Sequence, residues 1–329
     1  MTLPVEVTSP LSTSPLRALG SSGILVSRLC FGTLTLSPLQ SNLPPKQALA
    51  LLVAAVDQGV NFFDTATYYR NYPLLRALIK AVGREKIVIA SKSYASSADD
   101  AARDLQLALQ ELDTTYIDIF LLHEQLSSAT LQGHAAALTY YHQAKQKGEV
   151  RAVGLSSHQV AAVRGAVLHP SIEIVHPLYN MSGFGIADGS ATEMLQAIDE
   201  CYQMGKGIYA MKVLGGGHLA PRYADCLRHV AALDCFASIA VGMQSLAELQ
   251  VNLALLAGTH PPAAAVASLN KQQRQLRIEE YCTGCGLCLP RCSSAALKLS
   301  QGKLTLDASR CVTCGYCAAA CPHFALKVW

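Results

Sequence analysis

No apolar run in this sequence approaches the roughly 18 residues that would cross a bilayer as a helix, so no membrane span is expected. The opening stretch MTLPVEVTSPLSTSP also lacks the charged n-region and apolar h-region of a secretory signal. Charge is scarce. Asp, Glu, Lys and Arg make up 15% of the 329 residues and the formal net charge is +3, which excludes the strongly basic surface that nucleic acids select. The GxGxxG fingerprint of a doubly wound dinucleotide-binding sheet is missing too, because the triplet Gly215, Gly216, Gly217 has no glycine three positions on. These absences point to a cytoplasmic protein with no nucleic-acid partner.

What is abundant is apolar residues, at 51%, and cysteine, at 12 residues, of which eight fall within the last 48 positions. Such close spacing suits metal ligation in a reducing compartment better than disulfides. The segment is a duplication: Cys282, Cys285, Cys288 and Cys292 recur 29 residues later as Cys311, Cys314, Cys317 and Cys321, and Ala296-Leu297-Lys298 recurs as Ala325-Leu326-Lys327. Each half reads CxxCxxCxxxC, the pattern of bacterial two-cluster ferredoxins, in which three thiolates hold one 4Fe-4S cluster and the fourth reaches the other. This pattern assigns Cys282, Cys285, Cys288 and Cys321 to one cluster, and Cys311, Cys314, Cys317 and Cys292 to the second. Pro322 follows the last cysteine as the pattern asks, whereas Ser293 stands where the first half would carry proline. Zinc is the rival reading, but structural zinc favours two CxxC pairs a dozen or more residues apart. Cys30, Cys201, Cys226 and Cys235 are scattered and read as small buried hydrophobes.

The charge of this tail is uneven. Lys271, Arg274, Arg277, Arg291, Lys298, Lys303, Arg310 and Lys327 face only Glu279, Glu280 and Asp307, an excess that would offset anionic clusters and favour an acidic ferredoxin or flavodoxin as partner.

Ahead of it, β-branched runs alternate with helical patterns, a βα rhythm that predicts a parallel sheet. Predicted strands are Val60 to Phe63, Ile87 to Ala90, Ile117 to Leu121, Ala152 to Leu155, Ile172 to Val175, Gly207 to Met211 and Ser238 to Val241, with a first one around Leu29 to Phe31. Helical stretches include Lys46 to Gln58, Asp99 to Leu112, Thr130 to Lys147, Ala191 to Met204 and Ser245 to Leu256. Some 250 residues of this rhythm is the usual size of a (β/α)8 TIM barrel. The expected organisation is a flexible tail over 1–17, the barrel over 18–258, a linker over 259–278 and a small α+β ferredoxin-like domain over 279–329.

Three of the strands run into GVNFFDTATYY, IVIASK and IDIFLLH, which sets Asp64, Tyr69, Lys92 and His123 at successive C-terminal strand ends, the catalytic rim of a TIM barrel. Together they suit proton delivery to a carbonyl oxygen as hydride reaches its carbon. Tyr69 would be the general acid, Lys92 would lower its pKa, Asp64 would hold Lys92, and His123 would hydrogen-bond the substrate oxygen. Singly, each of these residues is more often a packing or capping residue, and it is the four at consecutive strand ends that carry the joint reading.

GVNFFDTATYY, IASK, TTYIDIFLLH, KGEVRAVGLSS and VGMQSLAELQVNL, in that order over roughly residues 18 to 258, resemble the aldo-keto reductase family. The fusion looks like the subgroup with a C-terminal ferredoxin domain. The resemblance implies the barrel, a nicotinamide cofactor, NADP(H) or NAD(H), across its mouth, and a tetrad of Asp64, Tyr69, Lys92 and His123 acting on a small carbonyl or alcohol. At the cofactor, Ser156 and Asn252 match the family, while Ser157, His176, Met211 and Gln244 replace an asparagine, a glutamine, a stacking tyrosine and a basic residue.

A hydride carries two electrons and a cluster moves one, so coupling the two modules needs a flavin or radical chemistry at the substrate. The clusters would otherwise regulate the barrel or order the loops at its mouth. The second hypothesis is an electron-transfer protein whose barrel is a scaffold that has lost nicotinamide and passes electrons to a partner or a flavin. Of the rim residues, Tyr68, Tyr72, Tyr179 and His218 either line a pocket or pack against neighbours.

Overall fold

The structure, a computed structural model, describes residues 15–217, 219–269, 275–321 and 325–328. His218, Lys271, Arg274, Pro322 and the first 14 residues of the expected tail lie outside the described residues.

Eight parallel strands close into a barrel: β1 (Leu29–Gly32), β2 (Phe62–Asp64), β3 (Val88–Ser93), β4 (Ile117–Leu122), β5 (Val150–Ser157), β6 (Ile174–Pro177), β7 (Gly207–Ala210) and β8 (Ser238–Gly242), with β8 pairing β1. Every residue of β3 and β4 is buried, as a parallel sheet covered on both faces requires. Inward-facing Cys30, Phe62, Ile119, Ala152 and Tyr209 fill the barrel together with Leu19, Ile24 and Val26 of an N-terminal hairpin that pairs Arg17–Ala18 with Leu25–Val26. Arg17, expected in the tail, is thus part of a strand. The outward residues pack against the helices α1 (Pro45–Asp57), α2 (Tyr72–Val82), α3 (Ala98–Leu112), α4 (Ala135–Gln146), α5 (Val160–Val167), α6 (Ala191–Gln203), α7 (Tyr223–Ala231) and α8 (Leu246–Leu256).

Helix starts follow local chemistry. Ser97, Ser190 and Ser245 each accept a backbone N–H in the first turn of α3, α6 and α8. The single helix expected over Thr130 to Lys147 is broken: Ser128–Gly133 ends and α4 begins at Ala135, with poor helix-forming Gly133 at the break. There the His134 ring nitrogen takes the Thr130 carbonyl at 2.7 Å. β5 runs two residues past the expected Leu155 and carries Ser156 and Ser157 into the sheet. Cys30, Cys201, Cys226 and Cys235 are free and buried.

The stretch expected as linker holds a helix, Ala263–Leu269, packed on α8 through Ala265. Beyond it two antiparallel pairs, Leu276–Ile278 with Leu326–Val328 and Leu297–Ser300 with Lys303–Leu306, frame a small core of Leu276, Leu297, Ala318, Leu326 and cysteines. The strand at Leu276 therefore reaches into the expected linker. Among the described residues no helix is long and apolar enough to cross a membrane.

Candidate active site

A cavity of about 270 Å³ opens at the C-terminal ends of the strands. Asp64 ends β2, Lys92 lies near the end of β3, His123 follows β4, and Tyr69 closes a 3-10 turn at Thr67–Tyr69; all four line that cavity. Thr33 donates its hydroxyl to the Asp64 carbonyl, and Asn71 bridges Thr33 and Thr65, so the ends of β1 and β2 are tied before the side chains meet.

Asp64 and Lys92 form a buried ion pair, with Lys92 Nζ 2.6 Å from Oδ1 and 2.7 Å from the Thr65 carbonyl. The other oxygen, Oδ2, accepts from the Tyr209 hydroxyl at 2.9 Å. With both oxygens bonded, the pair meets the condition under which a buried ion pair is tolerated. Lys92 Nζ stands 4.9 Å from the centre of the Tyr69 ring. Here the sequence expectation is reversed. Burial first, then Asp64 and Glu124, push the Tyr69 hydroxyl well above its usual pKa of 10. The Lys92 ammonium, although close to the ring, does not overcome that rise. Tyr69 therefore keeps its proton at neutral pH.

His123 is neutral at pH 7, since burial and then Lys92 depress it well below 6.5. Its Nδ1 is buried with no hydrogen-bond partner among the described residues. The ring stacks on Tyr94 at 4.3 Å, and Tyr94 donates to Glu124 at 2.8 Å. His176, pushed down to about 4 mainly by burial, donates Nδ1–H to the Tyr209 carbonyl and stacks on that ring at 3.8 Å. Being neutral, it makes no ion pair with Asp64 despite a 3.7 Å approach.

Of the expected nicotinamide contacts, Ser156, His176, Met211 and Gln244 line the cavity, and Ser157 and Asn252 do not. Ser157 donates to the Gln125 carbonyl at 2.7 Å. Asn252, fully buried on α8, accepts from Tyr223 at 2.6 Å. Ser156 accepts the Glu124 N–H. Among the rim tyrosines, Tyr68 lines the cavity, while Tyr72 and Tyr179 are buried and bonded to Ser91 and His229.

Sequence reasoning missed Tyr94, Glu124, His158 and Lys212, which also line the cavity. All four sit within two residues of a predicted position, and that adjacency was the available signal. It missed more completely that Thr313, Cys314, Gly315 and Val328 of the C-terminal domain form part of the same wall. No local pattern announces that contact.

The cysteines sort as the crossed pattern requires. One small cavity is lined by Cys282, Cys285, Cys288 and Cys321 with Leu304 and Leu326, and another by Cys292, Cys311, Cys314 and Cys317 with Leu276 and Val328. Four sulfurs around each apolar-walled space fit a 4Fe-4S cluster. Among the described residues no three His, Cys, Asp or Glu side chains converge as a single metal ion requires. Gly284, at φ +66°, is needed on its loop: a Cβ there would lie 2.0 Å from the Gly302 carbonyl oxygen.

Comparison with known proteins agrees with this division. Residues 28–267 match the model of the Aldo/keto reductase family, and residues 277–325 that of the 4Fe-4S dicluster domain. The chain is 29% identical to 6-dehydroglucose reductase of Novosphingobium aromaticivorans over 246 residues, 67% of this chain and 76% of that one. It is 26% identical to aldo-keto reductase 1 of Glycine max over 215 residues, 60% of this chain and 59% of that one. Thus it spans little more than half the length of that relative. A crystal structure of an aldo-keto reductase from Pseudomonas aeruginosa superposes with a TM-score of 0.64 at 25% identity, covering 74% of this chain and 95% of that one.

Proposed function

Because the chain belongs to the aldo-keto reductase family and carries a 4Fe-4S dicluster domain, we propose that it is an iron–sulfur oxidoreductase. On this reading it interconverts a small carbonyl compound and its alcohol, with a nicotinamide as hydride carrier. The observation that supports this most is the convergence of Tyr69, His123 and the buried Asp64–Lys92 pair on one cavity. The cavity is at the small end of ligand sites, roughly 300–1,000 Å³, so it suits the reacting end of a dinucleotide and a small substrate.

The residues divide the work. His123, neutral, donates a hydrogen bond that orients and polarises the carbonyl oxygen. Tyr69 holds the proton until hydride addition makes an alkoxide basic enough to accept it, the phenolate then being stabilised by the nearby Lys92 ammonium. Asp64 holds Lys92 in place. The chain's own candidates for the nicotinamide are Ser156, His176 and Met211. Cys282, Cys285, Cys288 and Cys321 would hold one cluster, and Cys311, Cys314, Cys317 and Cys292 the other. When bound, such clusters supply one-electron transfer. The exposed Arg277, Arg291, Lys298, Lys303 and Arg310 offer a basic face to an acidic one-electron carrier such as a ferredoxin or flavodoxin.

Titration with NADPH and NADH, followed by reduction of small aldehydes at the nicotinamide absorbance, tests the proposal. Tyr69→Phe is expected to lose about 10²–10⁴ of the rate while keeping cofactor affinity. One observation favours the second reading, an electron-transfer protein with a scaffold barrel: Ser157, where the family carries an asparagine at the cofactor, donates to the Gln125 carbonyl inside the protein. If neither dinucleotide binds while iron analysis finds both clusters intact, the scaffold reading replaces the reductase.

A further inference from the structure

Lys212 follows Met211 past the end of β7 and lines the cavity. Its φ of +58° is left-handed, a conformation that costs a non-glycine residue on the order of 1–3 kcal/mol and persists only where the surroundings enforce it. Among the described residues no carboxylate pairs with its ammonium. Nζ stands instead 4.9 Å from the centre of the Tyr316 ring. A cation–π contact is worth about 0.5–2 kcal/mol, whereas removing an ammonium from water costs several kcal/mol. Lys212 is half-buried, and Glu124, the carboxylate across the cavity that most favours its charge, makes no ion pair with it among the described residues, so the ammonium stays open to an anion in the cavity.

The Tyr316 ring is itself fixed. A Cβ on Gly216 would lie 2.8 Å from the ring and one on Gly185 2.9 Å from its hydroxyl, so two glycines of the barrel open the slot that seats it. The iron–sulfur domain thus holds Lys212 against the cavity. The charge acts at the reacting end, because it depresses both His123 and His158, which line the same wall. Gln244 and Thr313 add hydrogen-bonding groups to that wall.

We propose that Lys212 binds an anionic oxygen group, a carboxylate or phosphate, of the molecule that occupies the cavity, at a site assembled from both domains. The proposal rests on reading the cavity as the reaction site. The site favours ligands that bear a negative group over neutral carbonyls of the same size.

The test is calorimetric titration of the full, cluster-loaded chain and its Lys212→Met and Lys212→Arg variants with glyoxylate, inorganic phosphate, uncharged acetaldehyde and NADPH. Lys212→Met is expected to weaken glyoxylate or phosphate at least tenfold and Lys212→Arg by no more than about threefold, with acetaldehyde unchanged and iron content equal in all three proteins. A loss confined to glyoxylate and phosphate assigns the anion to the substrate, and a loss confined to NADPH assigns it to the dinucleotide. If Lys212→Met changes no affinity and shifts only the midpoint potential of the clusters, Lys212 is a counter-ion to Cys314 and the proposal is wrong. Should the wild-type chain not bind NADPH at all, the nicotinamide reading fails, while Lys212-dependent binding of glyoxylate or phosphate still upholds the site.

Discussion

The two halves of the cysteine repeat share one spacing and differ in what surrounds them. In the first, Cys285 is exposed and its neighbours Tyr281 and Leu287 are exposed as well. In the second, Cys314 lies in the wall of the barrel cavity between Thr313 and Gly315, and Val328 borders both that cavity and the second cysteine cavity. Ligation is therefore the same problem solved twice, while position is not. One half lies against the barrel cavity, and the other faces solvent. A duplicated module can divide its roles through docking alone, with no change in its ligands.

Breaking one ligand in each half tests that division most severely. Cys285→Ser and Cys314→Ser should each cost about half of the iron, but only Cys314→Ser should also weaken NADPH binding, by more than tenfold. Iron analysis, electron paramagnetic resonance and titration read this out. Equal effects on NADPH would erase the asymmetry. A smaller effect is expected from the docking slot. In Gly216→Val the new side chain meets the Tyr316 ring and forces φ +66° on a β-branched residue, for roughly 1–3 kcal/mol. Hydrogen exchange over Tyr316–Ala319 should rise accordingly. The control is Gly286→Ala in the first half, where nothing lies nearer than 3.7 Å and only the strain of φ +78° remains.

The barrel was legible because its signal is periodic. Buried strands such as Val88–Ser93 and Ile117–Leu122 carry short apolar runs, Val88–Ala90 and Ile119–Leu122, that lead directly into polar residues of the rim, Lys92 and His123. The cysteine sets were legible because metal ligation fixes spacing within a loop. What spacing cannot carry is the consequence of burial. Lys92 was read as the group that lowers the Tyr69 pKa, but desolvation and Asp64 raise it. Ser157, which replaces the family's asparagine, donates to the Gln125 carbonyl, and Asn252, which matches the family, accepts from Tyr223 through Oδ1 while its Nδ2 has no partner among the described residues. Nor could any local pattern show Tyr316 lodged between Gly185 and Gly216, since those residues lie in segments 100 or more positions away.

The comparison also extends to acid. Around the cavity that the second half walls stand the buried His123 and His176 and the half-buried His158, with His158 and His176 pushed down to about 4, whereas among the described residues no histidine lines the first cysteine cavity. Their folded pKa values lie below the unfolded value of about 6.5. Between pH 6.5 and 4 the unfolded chain therefore binds more protons than the folded one, and stability falls as pH falls through that window. Above pH 6.5 these groups contribute no slope. His176→Gln removes one such proton, so the dependence of unfolding free energy on pH should flatten by about 1.4 kcal/mol per pH unit at most, between pH 6 and 5. Urea unfolding followed through barrel near-ultraviolet dichroism at those two values measures it. An unchanged slope would mean that His176 is already protonated in the folded barrel, and its stacking on Tyr209 beside Asp64 would then be that of an imidazolium.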